Sequence, residues 1–185
     1  TVVYNMADTF FVGQTGDPLQ VAAVSLTNPI FILFMACANM FGMGGSALAS
    51  IALGGQDQHR MKQVSAFITY ASLVVGILSA GMLLGFMQPI LTVFGANEET
   101  YAFAKGYVFH ISYGAPFVIW SAAASFVVRS EGASKEAMIG SMIGTIANIA
   151  LDPILISGFH LGAAGAAVAT TLGNILASVY YFWYF

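Results

Sequence analysis

Asp152 and Asn148 lie four positions apart in an otherwise apolar run, 137–156. In a helix the i, i+4 spacing puts both side chains on one face. Asp8 lies inside a second apolar stretch, 1–13, and Thr170 inside a third, 163–185. These four side chains offer carboxylate, amide and hydroxyl oxygens, the donor set of a hard cation. No Lys or Arg shares their runs. Two acids without a counter-charge in an apolar medium hold protons or bind a cation, so the spacing predicts a cation or proton switch. Each residue also has a plainer use: Asp8 at a membrane interface, Asn148 in a helix–helix hydrogen bond, Thr170 bonded to its own backbone. Asp152 is the hardest to place otherwise. Tyr107 extends the network through its hydroxyl or belongs to an aromatic belt. His110 carries a proton or is a packing histidine. No His/Cys/Asp cluster has transition-metal spacing, and Cys37, the single cysteine, reads as a buried inert thiol.

The elements holding these residues must span a bilayer. Of 185 residues, 58% are hydrophobic and 7% charged, against about 25% charged in soluble domains. Five basic residues and a net charge of −3 exclude a phosphate-binding surface. Mean hydropathy is +0.83. At roughly 20 apolar residues per span, the chain holds about six transmembrane helices. Breaks at charged and Gly/Pro/Asn-rich stretches place them near 1–13, 21–53, 65–86, 106–128, 137–156 and 163–185. The second would be about 50 Å long at 1.5 Å per residue, so it must tilt, protrude or bend, with Pro29 and the Gly42–Gly45 region as places to bend. Pro153, just after Asp152, predicts a bend or an end to its helix.

Arg60 and Lys62, then Arg129 and Lys135, lie in connections of one parity. The positive-inside rule puts those in the cytoplasm, with the N-terminus. Counted from the opposite face, Asp8, Asn148, Asp152 and Thr170 all fall about 8–15 Å deep. Gly81-x-x-x-Gly85 and Gly140-x-x-x-Gly144 predict close helix contact.

The segments Tyr4-Asn5-Met6-Ala7-Asp8-Thr9-Phe10-Phe11-Val12-Gly13, Met40-Phe41-Gly42-Met43-Gly44-Gly45-Ser46-Ala47, Arg129-Ser130-Glu131-Gly132 and Asn148-x-x-x-Asp152-Pro153 resemble the multidrug and toxic compound extrusion (MATE) family. The similarity runs over the whole chain and is strongest to the branch of DinF-like and MepA-like exporters. It implies an all-α polytopic membrane protein whose residues 1–185 form the N-terminal lobe, interrupted at both ends, of a twelve-helix, two-lobe transporter. It also implies a cation site at Asp8, Asn148, Asp152 and Thr170, with Tyr107 beside it, taking Na⁺ if the carrier is sodium-coupled.

The function expected is secondary active export of amphipathic or cationic small molecules, driven by Na⁺ or H⁺ entry. No cofactor beyond the coupling ion is expected and no enzyme activity. The bilayer, the substrates and the second lobe of the same chain are the partners, and the cell (plasma or inner) membrane is the location. A lipid-linked sugar flippase of the same superfamily is the alternative transporter, but it would want basic residues in mid-span. A non-transporting scaffold would leave the acids without a use. An intramembrane aspartyl enzyme on Asp8 and Asp152 lacks the Gly-x-Gly-Asp motif such an enzyme would carry.

Overall fold

A computed structural model of the chain describes residues 9–14 and 16–185. Residues 9–13 are helical. Six further α-helices follow: α1 (Pro18–Gly54), α2 (Gln58–Gly85), the short α3 (Met87–Val93), α4 (Glu98–Ser130), α5 (Ser134–Asp152) and α6 (Gly162–Tyr184). A π-helical turn, Pro153–Gly158, extends α5. Five helices are long and apolar enough to cross a membrane, the fourth of them being α5 with its π turn. Among the described residues there is no strand, and the all-α polytopic expectation holds. Most of the first expected span, Asp8 included, lies outside the described residues.

Short caps set where the helices start. The Asp17 carboxylate accepts from Leu19 N at 3.0 Å, with Pro18 opening α1, where its missing N–H costs nothing. Asp57 accepts from Arg60 N at 2.9 Å. Asn97 and Thr100 cap each other's backbone N–H at 2.9 and 3.1 Å. The last two caps explain why α2 and α4 start well before the apolar runs at 65 and 106. Charged residues occupy their first turns as helix rather than loop. At about 1.5 Å per residue α1 is about 55 Å long, well beyond a hydrocarbon core of about 30 Å. It runs unbroken through Pro29 and the glycines at 42–45.

The centre of the lobe is α4. Ala104, Val108, Ala115, Ile119, Ala123 and Val128 on it are fully buried, and α1, α2, α5 and α6 all pack against it. Glycines let the backbones meet. A Cβ on Gly76 would stand 2.3 Å from Pro116 Cα, and one on Gly42 would stand 3.2 Å from Ala123 Cα. Gly144 and Gly173 bring α5 and α6 together, a Cβ on Gly173 falling 2.6 Å from Gly144 O. Gly140, paired with Gly144 in sequence, faces the Tyr181 ring, whereas among the described residues no neighbouring atom would come within 4 Å of a Cβ on Gly81 or Gly85. The two glycine pairs look alike in sequence, yet only 140/144 works inside the lobe.

The ends of the bundle are tied by polar contacts. At one end Gln20 Oε1 accepts from Ala163 N at 3.1 Å, joining the start of α1 to that of α6. At the other, Tyr180 donates to Glu136, Tyr184 OH donates to Glu131 at 3.2 Å, and Tyr181 OH donates to Ala137 O at 2.8 Å. Trp120 stacks on Phe182 with ring centroids 4.0 Å apart.

Candidate functional site

The Gly144/Gly173 contact positions the polar residues. A Cβ on Gly173 would also lie 3.3 Å from Asn148 Cβ, so the α5 backbone is held close against α6 at this level. From there Asn148 Nδ2 donates to Thr170 Oγ1 at 3.1 Å. Asn148 and Thr170 are each 2% exposed, and Asp152 is fully buried. Asp152 is the last residue of α5, one turn beyond Asn148, where Pro153 converts the helix to its π turn. Proline has no N–H and leaves a carbonyl of the preceding turn free of its helical donor. The expected break at Pro153 is thus a change of helical pitch beside the acid.

Two of the four predicted site residues are therefore in direct contact, and a third lies one turn along the same helix. Asp8 lies outside the described residues. Tyr107 is buried on α4 within the apolar core that α4 shares with α1 and α6. His110 is half-buried, and its Nδ1 lies 2.7 Å from Gly106 O of its own helix. Among the described residues no three His, Cys, Asp or Glu side chains gather to hold a metal ion.

Several polar residues escaped the reading of the sequence. Asn174, one turn along α6 from Thr170, donates Nδ2 to Thr170 O at 2.8 Å, and its Oδ1 accepts from Ser121 Oγ on α4 at 3.1 Å. The i, i+4 spacing from Thr170 was the available signal. Asn148, Thr170, Asn174 and Ser121 line one cavity of about 310 Å³ between α1, α4, α5 and α6. Asn39 of α1 and Thr145 of α5 add further polar groups to its wall, and Arg129 and Tyr181 lie at its far end. Arg129 is the cavity's single charged lining residue among those described.

Residues 1–154 match the family model described as MatE. The chain belongs to the MatE family. Over all 185 residues it is 37% identical to the multidrug export protein MepA of Staphylococcus saprophyticus, and 35% identical to MepA of Staphylococcus aureus strain NCTC 8325. It spans 41% of the length of these curated relatives. Among solved structures, an inward-facing multidrug resistance MATE family transporter of the MOP superfamily is 29% identical and matches 98% of this chain and 41% of its own, with a TM-score of 0.92. An outward-facing MATE family transporter also gives 0.92, at 29% identity over 100% of this chain and 41% of its own. Membership makes this MatE chain a multi-pass membrane protein of a transporter family.

Proposed function

We propose that this MatE chain is the cation-coupled lobe of a two-lobe secondary exporter of amphipathic, often cationic, small molecules. The observation that carries the reading is the fully buried Asp152, one turn along α5 from an Asn148 amide that is bonded across helices to Thr170 and, with Thr170, lines the cavity. Burying a carboxylate in an apolar lobe is costly, and a shared proton or cation lowers that cost. The export assignment draws on the relatives, named as multidrug export proteins. No cofactor other than the coupling ion takes part.

Asp152, Asn148 and Thr170, with Asp8 from the first span, hold the Na⁺ or H⁺ that is carried, and Tyr107 borders them. The site lies in the outer half. Arg129 and Lys135 mark the cytoplasmic end. The lobe matches inward-facing and outward-facing transporters with equal TM-scores of 0.92, which supports lobes that move as bodies around a fixed site. Coupling then requires only that the cation and the drug favour different states. A pyrophosphate-carrying flippase is disfavoured, because the cavity's basic residue sits at one end and not at its centre.

Asp152→Asn in the two-lobe protein preserves shape and removes the titratable charge. Efflux driven by an imposed Na⁺ or pH gradient should fall at least tenfold while the protein still inserts and folds. Export with normal gradient dependence would make Asp152 structural and end this reading.

A further inference from the structure

The hydrogen bonds around Thr170 continue past the site. Asn148 reaches Thr170 Oγ1, Asn174 reaches Thr170 O, and Ser121 reaches Asn174 Oδ1, so one polar chain crosses from α5 through α6 to α4. It faces the cavity that runs on past Thr145 to Arg129. From Thr170 to Tyr181 along α6 is about 16 Å at 1.5 Å per residue. That distance carries the chamber from the outer half of the lobe to its basic end. The bundle around it is built of Val, Ile, Ala and Phe, so a polar wall here is a local exception.

We infer that the chamber is the coupling cation's way out of the site to the cytoplasm, with Asn174 and Ser121 as its inner station. The inference rests on the coupling-site reading above. A station of neutral oxygens suits transit. Asn174 Oδ1 and Ser121 Oγ can replace part of a cation's water shell, yet they hold it more weakly than a carboxylate does, so it can leave. Arg129, exposed at the end of the chamber, raises the free energy of a cation resting there and keeps that end from trapping it.

Two measurements in the two-lobe protein test this. In a background whose native cysteines, Cys37 included, are replaced, Thr145→Cys and Ser125→Cys should react with a membrane-impermeant cationic thiol reagent applied to the cytoplasmic face. Reaction there should block gradient-driven efflux. Labelling only from outside, or none, overturns the route. Asn174→Leu should lower maximal efflux at least tenfold and change the half-saturating Na⁺ concentration or pH of the driving gradient by less than about twofold in cation terms; Asn174→Ser should restore much of the rate. If Asn174→Leu weakens apparent affinity as strongly as rate, Asn174 is a support for Thr170 and no station. The outcomes separate from those of Asp152→Asn. A dead Asp152→Asn with parental rates in Asn174→Leu refutes the route alone, and a normal Asp152→Asn refutes the site beneath it.

Discussion

The same two helices, α5 and α6, meet at both ends of the lobe by opposite means. Near Asn148 and Thr170 they touch backbone to backbone through Gly144 and Gly173, with one interhelical side-chain hydrogen bond and a buried acid one turn on. Near Tyr181 they are held apart by a ring seated on Gly140, and several tyrosine hydroxyls reach across to α5 and to the α4–α5 turn. The first contact leaves no slack, because its closest atoms are backbone. The second is redundant, because three tyrosine hydroxyls tie the same end. A site that must position a cation belongs at the rigid contact. A redundant contact serves as an anchor.

The largest effect should follow from widening the rigid contact. Gly173→Ala places a methyl 2.6 Å from Gly144 O, an atom that cannot turn aside. The helices must separate, and the Asn148–Thr170 bond must lengthen. Overpacking of this kind costs about 1–3 kcal/mol. We expect lower heat stability in detergent together with lost gradient-driven efflux. Gly81→Ala, facing open space, should leave both unchanged. Equal tolerance at the two positions would show that the Gly144/Gly173 contact is not rigid.

Tyr181→Phe comes next. It keeps the ring against Gly140 and removes the donor to Ala137 O and the contact with Ser141 at 3.2 Å. One hydrogen bond is worth about 1 kcal/mol net. The unfolding temperature should drop slightly, and efflux should persist, because the neighbouring tyrosines keep the anchor. A Tyr181→Phe protein as inactive as Asp152→Asn would show that the inner end belongs to the mechanism.

What could be read from the sequence follows the same division. The shared face of Asn148 and Asp152 came from spacing alone, and α5 and α6 bring Asn148 to Thr170. Apolar periodicity finds spans because the bilayer demands them. It misplaced the starts of α2 and α4, because Arg60, Lys62, Glu98 and Glu99 look like loop until Asp57 and Asn97 are recognised as caps. Asn174 and Ser121 were missed for another reason, the i, i+4 spacing of Asn174 from Thr170 giving a shared face but no partner. Each is an ordinary polar residue of its own helix, and only the packing of α6 on α4 makes them a pair. The difference between the pairs Gly81/Gly85 and Gly140/Gly144 was likewise a matter of which faces meet.

The smallest effect tests the anchor by pH. Glu131 lies outside the spans, in the turn between α4 and α5, and burial pushes its carboxyl above the ordinary value of 4.5, while the hydrogen bond from Tyr184 opposes the shift. A carboxyl whose pKa is raised on folding is protonated more readily in the folded state than in the unfolded one. Its contribution is therefore fully present below the ordinary carboxylate range and is lost as pH rises through the raised folded value. The inner end should loosen slightly over that interval. Glu131→Gln, which cannot ionise and still accepts from Tyr184, should flatten the dependence. Thiol labelling of a cysteine placed at Ser134, followed between pH 4 and 7, reads the opening of this turn directly. We expect faster labelling, corrected for thiolate content, towards the upper end in the parent and little change in Glu131→Gln. The same pH steps should leave the labelling of Thr145→Cys unaltered if the anchor and the chamber are independent. A parallel change at both positions would mean that the aromatic end transmits its state to the cation site.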